Sequence, residues 1–289
     1  MNKKVIAAVG GLGGAIALIV GAQVYASYQA TKEVDKAISS VSEFVNIDYK
    51  KVNSSLLGGG TKVKDITISP VETGETFRVD EVVVYDYDVT DDIPTRINMA
   101  VNGMAVNVAD LGQNAAPLKE FGYGESLSVN FATEYEYEET TQEIRLKKFE
   151  VGADEVGDLD MNVYVSNVSL DPAAIASMPF SLFSMVFHEA EITYKDDSLV
   201  TRVFDTAAAA NGVSVDEFKE EAIASLKADL ASGEEGLTED IVEEMTDFIN
   251  DPEGFSISIN PSEPVPLSTI MTASSTEDMI KLLNVQFKS

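Results

Sequence analysis

The feature that most limits the fold is an alternation of apolar and polar residues that recurs, segment after segment, from Ile47 to Leu170. Strict alternation is typical of β-strands with one buried and one solvated face. Turn sequences rich in Gly, Asp and Pro separate the segments, so the sequence predicts an elongated, curved antiparallel sheet. The predicted strands are Lys62–Ser69, Phe77–Asp88, Arg96–Val108, Leu127–Tyr137, Glu143–Val151 and Leu159–Leu170.

The C-terminal third mixes helices with strands. Asp171-Pro172 predicts a helix start, because Asp accepts free N–H groups and Pro suits the first helical position; this helix is predicted to reach about Val186. Ser214-x-x-Glu217 is a capping box and predicts a second start. The remaining predicted elements are a hairpin of Glu191–Tyr194 with Ser198–Phe204, a helix from Thr238, strands Phe255–Ile259 and Leu283–Lys288, and a helix Thr276–Leu282.

These elements together predict an α+β fold in which the C-terminal helices pack on the sheet. The two helices over 214–250 are predicted to pair as a helical hairpin. No stretch has the composition of a domain linker, which favours one domain over 46–289. Two lobes joined near 110–125 remain the alternative.

An uncharged run of 22 residues, Val5–Ala26, precedes the predicted sheet. About 20 helical residues cross the apolar core of a bilayer, so this run predicts a transmembrane anchor. Lys3 and Lys4 come before it and predict a cytoplasmic N-terminus. A signal peptide cleaved after Val24-Tyr25-Ala26 is the alternative. The predicted anchor residues are Val5, Ile6, Leu12, Ile16, Leu18, Ile19 and Val20.

The anchor divides the chain into a cytoplasmic tip at 1–4, the membrane span at 5–26, a juxtamembrane helix at 27–45 and a periplasmic domain at 46–289. The juxtamembrane helix is predicted because Val34, Ile38, Val41 and Val45 recur at helical spacing. The predicted location is therefore a bacterial inner membrane, with a single span and most of the chain in the periplasm. Small residues at 10, 14, 17 and 21 of the span leave a homodimer open.

Composition excludes several classes of partner and chemistry. All 49 acidic residues follow residue 30, and the whole chain has a net charge of −29. Nucleic-acid binding needs a basic surface, so no nucleic-acid partner is expected. The chain has no cysteine and therefore no disulfide, thiolate metal ligand or thiol nucleophile. Excess negative charge keeps an exported domain soluble and repels anionic lipid headgroups.

The C-terminal sequence resembles the ending of uncharacterised proteobacterial envelope proteins. The resemblance rests on the runs Phe248–Pro252, Phe255–Pro261 and Leu282–Val285. With one N-terminal span and repeated long strands, the whole layout resembles the YdgA-like and AsmA-like proteins of the inner membrane. AsmA-like proteins are associated with phospholipid movement along a β-lined groove, so the resemblance implies a lipid-related role without a catalytic motif. This chain is far shorter than a bridge that spans the envelope.

The candidate catalytic and metal-binding residues do not form a recognisable motif. His188 is the single histidine, and no Gly-x-Ser-x-Gly motif accompanies it, so a structural histidine at a helix–strand junction is predicted. Two acidic clusters, at 86–92 and 154–160, do not match a calcium-binding loop. Glu134, Glu136 and Glu138 share one face of a predicted strand, and their mutual repulsion predicts a solvated face.

The sequence thus predicts a membrane-anchored envelope protein that is not an enzyme and has no cofactor, metal or catalytic residue. Its predicted ligand is a lipid or another hydrophobic envelope component, bound in a groove on the apolar sheet face. The alternative is a structural or assembly factor whose acidic face binds a protein partner.

Overall fold

A computed structural model describes most of the chain after residue 30. The described ranges are 31–54 without 33, 36–37 and 40–41, then 60–71, 76–88, 95–170, 182–232 and 237–289. The predicted cytoplasmic tip and membrane anchor lie outside these residues. Within the described ranges, no helix has the length and apolar character that a membrane span requires.

The strands follow the alternating segments of the sequence closely. They are β1 Val45–Asp48, β2 Lys51–Ser54, β3 Thr61–Pro70, β4 Phe77–Asp88, β5 Arg96–Asn107, β6 Ser126–Glu138, β7 Glu143–Ala153, β8 Gly157–Ser166, β9 Val186–Asp196, β10 Gly254–Ile259, β11 Val265–Pro266 and β12 Val285–Lys288. These twelve described strands form one sheet in the order β1-β3-β4-β5-β6-β7-β8-β9-β10-β12, with β2 on β3 and β11 on β9. The predicted antiparallel meander, over Ile47 to Leu170, is confirmed from β3 to β8.

Helices account for most of the remaining described residues. Short 3-10 helices lie at Val108–Asn114 and Leu182–Ser184, and the α-helices are α1 Ala115–Glu120, α2 Leu199–Asn211, α3 Val215–Ser232, α4 Glu239–Asn250, α5 Leu267–Met271 and α6 Thr276–Leu283. The fold class is α+β, as the sequence predicts. Residues 31, 32, 34, 35, 38 and 39 are also helical.

The chain divides into two compact units. Unit 1 comprises Met1–Glu134 with Val151–Asp154, and unit 2 comprises Tyr135–Glu150 with Glu155–Ser289. The division therefore lies within β6 and β7, further along the chain than the alternative boundary near 110–125.

Unit 1 has a core of β-branched residues. Val63, Val82 and Val101 occupy paired positions on β3, β4 and β5 and are each at most 2% exposed. Val34, from the helical residues at 31–39, is fully buried against this cluster. The apolar stripe of the juxtamembrane helix thus packs on the sheet at Val34. The helix is shorter than predicted, because Val45 begins β1 and pairs with Pro70.

Unit 2 has a second core, where helices cover the apolar side of β9, β10 and β12. Phe187 and Ala190 of β9 pack with Leu283 of α6 and with Leu267 of α5. Further along the same strands, aromatic rings replace aliphatic side chains. The Phe255 ring lies 5.4 Å from the rings of Phe248 in α4 and Phe287 in β12.

The helix starts predicted at Ser214 and Thr238 are confirmed. The Glu217 amide donates to Ser214 Oγ at 3.2 Å, and the Ser214 amide donates to Glu217 Oε2 at 2.9 Å. These two bonds are the reciprocal pair of a capping box. The Ile241 amide donates to Thr238 Oγ1 at 3.3 Å, which satisfies one free N–H group at the start of α4.

Two predictions for the C-terminal third are wrong. Residues 199–204, predicted as part of a β-hairpin, begin α2, because the Asp196 carboxylate accepts the Val200 amide at 3.0 Å and four consecutive alanines favour helix. The helix predicted to reach about Val186 does not extend that far, since Leu182–Ser184 form a short 3-10 helix and Val186 begins β9, where it pairs with Ser166. The predicted start of that helix, at Asp171-Pro172, lies outside the described residues.

The burial of Val34 predicts that the juxtamembrane helix stabilises unit 1. Val34→Ala should lower the free energy of unfolding of the full-length protein by about 1–3 kcal/mol, since it removes two buried methyl groups. Val71→Ala is the matched control, because Val71 is 53% exposed, and it should change that free energy by less than about 0.5 kcal/mol. Equal effects of the two variants in chemical denaturation would contradict the packing of Val34 on the sheet.

Tyr49 links the same helix to unit 1 and predicts a loss of stability at high pH. Its hydroxyl donates to Asp35 Oδ1 at 2.6 Å, and burial, followed by this hydrogen bond, raises the pKa of Tyr49 to about 12. The unfolded chain loses the phenol proton near pH 10.0, whereas the folded protein keeps it. Stability from Tyr49 is therefore complete below that pH and declines as pH rises to about 12.

Tyrosinate absorbance of the wild type minus that of Tyr49→Phe measures this titration directly. We expect a midpoint near 12, whereas a midpoint near 10.0, the ordinary pKa of a tyrosine phenol, would show that Tyr49 is neither buried nor bonded to Asp35.

Candidate functional site

A cleft opens in unit 2 between α4, α6 and β12, and we call it the β12 cleft. Its volume is about 600 Å³, within the range of small-molecule sites. It is lined by Thr238, Asp240, Ile241, Glu244, Ile280, Lys281, Asn284, Val285, Gln286, Phe287 and Lys288.

Helix capping places the walls of the cleft. Ser275 Oγ accepts the Asp278 amide at 3.1 Å and starts α6. The helix ends at Asn284, which has a left-handed backbone with φ of 47°. The Asn284 side chain donates to the Asn260 carbonyl at 3.0 Å, so the residue that ends α6 also joins β12 to the end of β10.

The lining of the β12 cleft is amphiphilic. Ile241, Ile280, Val285 and Phe287 provide its apolar surface and are partly exposed there. Val285 also packs against the aliphatic core cluster around Leu283, and the Phe287 ring stacks on Phe255. Ile280 is not part of that cluster, so its partly exposed side chain is available to a ligand.

The charged residues of the cleft stand at its rim. Lys281 forms an ion pair with Glu277, and the hydrogen bond in this pair raises the pKa of Lys281. Glu244 of α4 accepts hydrogen bonds from the amide of Ser289 at 2.8 Å and from its hydroxyl at 3.1 Å. This contact fixes the end of β12 against α4, so the two walls of the cleft hold each other in place.

His188 lies within β9 rather than at a helix–strand junction, which corrects the prediction. Tyr164 pairs with Glu189 and Val165 with Phe187, so His188 is the extra residue of a β-bulge. Its Nε2 lies 2.7 Å from the Ser166 hydroxyl oxygen.

Aromatic and cationic stacking fixes the His188 ring. The ring stacks on Tyr164 at 4.0 Å, and the Arg145 guanidinium lies 3.8 Å above the Tyr164 ring. Burial, followed by a hydrogen bond with Glu143, raises the pKa of Tyr164. In the described part of the chain, no carboxylate hydrogen-bonds to His188 to complete a Ser-His-Asp triad. These contacts hold the His188 ring between the Ser166 hydroxyl and the Tyr164 ring.

The predicted acidic features have neighbouring partners. Asp86 and Asp88 lie 3.7 and 3.9 Å from Arg96, and Asp154 accepts from Asn130 at 3.1 Å. The remaining acids of the first cluster, at 91 and 92, lie outside the described residues. Among the residues that the structure describes, no three acidic or histidine side chains form a group that could hold a metal ion.

The glutamate row of β6 is solvated, as predicted, at Glu136, whose side chain is 43% exposed, and at the exposed Glu138. Asn98 donates to Glu134 at 2.9 Å, and Lys147 lies 2.5 Å from Glu136. Thr140 donates to Glu138 at 2.6 Å and lowers its pKa. Each carboxylate has its own donor, which offsets the repulsion expected between like charges on one strand face.

No sequence pattern marks the residues of the β12 cleft as a site. Ile241 belongs to an apolar stripe of α4, but a stripe does not show which of its residues pack on the sheet and which remain partly exposed. Asn284 is the residue of the cleft whose conformation the sequence indicates, because asparagine at a helix end favours a left-handed turn. The predicted anchor residues at 5–20 and the topology residues Lys3 and Lys4 lie outside the described residues.

A family model described as "Uncharacterized protein" matches residues 150–289, a range that contains both the β12 cleft and the His188 bulge. No curated protein matches the chain. The family description names neither YdgA-like nor AsmA-like proteins, so that resemblance stays a prediction.

The contact of Glu244 with Ser289 predicts how firmly β12 is held. Glu244→Gln removes a charge-assisted acceptor, so amide exchange at Ser289 should become about tenfold faster. Glu243→Gln is the matched control, because its exposed side chain occupies the neighbouring helix position. Equal exchange rates in the two variants, measured by hydrogen–deuterium exchange, would show that the carboxylate does not hold the strand end.

Proposed function

We propose that the protein is a membrane-anchored, non-enzymatic envelope protein that binds a lipid or another hydrophobic envelope component. The β12 cleft receives the apolar part of that ligand. The observation that carries this proposal is the concave apolar surface formed by Ile241, Ile280, Val285 and Phe287. Most ligand sites combine such a surface with a few polar groups, which here are the charged residues of the rim.

The location of the ligand follows from where the sheet is covered. In unit 1, Val34 covers the apolar side of the strands. In unit 2, α4, α5 and α6 contribute Phe248, Leu267 and Leu283 to the cover. A ligand on those parts would have to displace a packed helix, whereas the β12 cleft is already open.

The membrane association rests on the N-terminal sequence. The uncharged run at 5–26 is long enough to span a bilayer, and Lys3 and Lys4 favour a cytoplasmic N-terminus. The domain after the anchor then lies in the periplasm of a bacterial envelope. A non-enzymatic role is supported by His188, whose described contacts are a serine hydroxyl and the Tyr164 ring.

One observation favours the second candidate function, a structural or assembly role with a protein partner. Helix α4, which forms one wall of the cleft, contains five acidic residues and no basic residue. Such a helix attracts a basic surface and repels anionic lipid headgroups.

Hydrophobic photolabelling tests whether a small apolar molecule binds in the cleft. The full-length protein in detergent is labelled with 3-(trifluoromethyl)-3-(m-iodophenyl)diazirine, and the labelled peptides are mapped by mass spectrometry. We expect label in the peptides that contain 238–244 or 280–288, and Ile280→Glu should remove most of that label. Met271→Glu is the matched control, since Met271 is 62% exposed and lies outside the cleft.

Label on the predicted anchor serves as the internal reference in every sample. Absence of label from the cleft peptides, with the anchor labelled, would refute the proposed site.

A further inference from the structure

The β12 cleft follows the edge of a strand. Four consecutive residues of β12, Val285–Lys288, line it. Side chains of consecutive strand residues point to opposite faces, so one cavity meets all four only along the strand edge. Among the described strands, β12 stands at one end of the sheet, with β10 on its other side.

The outer edge of β12 carries backbone groups that need partners. In an antiparallel ladder, alternate residues direct both N–H and C=O to the same neighbour, so half of β12 directs these groups away from β10. Water satisfies these groups while the cleft is open. A ligand that expels this water must replace the hydrogen bonds, because an unpaired buried backbone group is costly.

This requirement separates the two kinds of hydrophobic ligand. An acyl chain has no donors or acceptors along its length, so it would leave the outer edge of β12 without partners. An extended peptide pairs with these groups while its alternate side chains enter the apolar part of the cleft. Val285 and Phe287, which are two residues apart, mark the positions that those side chains would contact.

Charge indicates the composition of the peptide. The five carboxylates of α4 include Asp240 and Glu244 at the cleft. Two lysines also line it, but Lys281 is paired with Glu277, which leaves the charge of Lys288 against the five carboxylates. A segment that contains lysine or arginine would therefore be attracted. A second copy of this chain would bring another α4 and the same negative charge, so it is disfavoured.

We propose that the β12 cleft binds an extended segment of a partner protein, basic and apolar at alternate positions, which adds a strand to the outer edge of β12. The inference rests on the proposed function, because it names the class of hydrophobic envelope component that the same cleft receives.

Peptide binding to the full-length protein in detergent tests the inference. The probe is a fluorescent hexapeptide of alternating lysine and valine, and its affinity is measured by anisotropy. A second peptide, N-methylated at the residues that face β12, keeps the side chains but removes the edge donors. We expect the unmodified peptide to bind at least about tenfold more tightly than the N-methylated one.

Charge variants provide the control. Asp240→Lys should weaken binding of the lysine–valine peptide and strengthen binding of a glutamate–valine peptide of the same length. Glu221→Lys makes the same charge change on an exposed position of α3, outside the cleft, and should have little effect on either affinity. Equal effects of the two variants would show a non-specific attraction and would overturn the inference.

The outcomes distinguish the inference from the proposed function. If the cleft is photolabelled but the lysine–valine peptide does not bind, the strand-addition inference is wrong and the cleft takes an acyl chain or another apolar group. If both peptides bind equally, the peptide backbone does not hydrogen-bond to the edge of β12, and the inference is again wrong. If the cleft is neither labelled nor bound by peptide, the proposed function fails as well.

Discussion

In each unit the strands have an apolar side, and the rest of the structure depends on how that side is kept from water. A single sheet cannot bury its own apolar face, so another layer has to cover it. Val34, in the helical residues after the predicted anchor, supplies part of that layer in unit 1, and α4, α5 and α6 supply it in unit 2. The β12 cleft lies where α4 and α6 leave a gap over the last strand.

The same arrangement explains how a chain with a net charge of −29 can still have an apolar site. Carboxylates are placed on the polar sheet face, where donors such as Asn98 and Lys147 pair with them, and on the outer surfaces of helices. Helix α4 shows both roles, since Val242 and Phe248 face inward while its acids are placed around the cleft and the surface. In the proposed site, the charge of α4 would select among the ligands that the apolar surface alone would accept.

The strands could be predicted because a period of two leaves few alternatives, and β4 begins and ends at the predicted residues, Phe77 and Asp88. Helix starts could be predicted where the cap is local, as at Ser214. The strand predicted at 198–204 is wrong, because the spacing of its apolar residues fits a helix as well as a strand. The Asp196 carboxylate, which accepts the Val200 amide, and the alanines at 207–210 favour the helix. The cleft could not be predicted, because it depends on how the start of α4, the end of α6 and β12 pack together.

The proposed site requires that the outer edge of β12 is open and lines an apolar cleft. Residue-resolved amide hydrogen exchange of the full-length protein measures whether that edge is open. We expect alternate amides of β12 to exchange rapidly, while the remaining amides of β12, bonded to β10, are protected. Equal protection of all the amides from Val285 to Lys288 would contradict it, because the outer edge would then already have a partner.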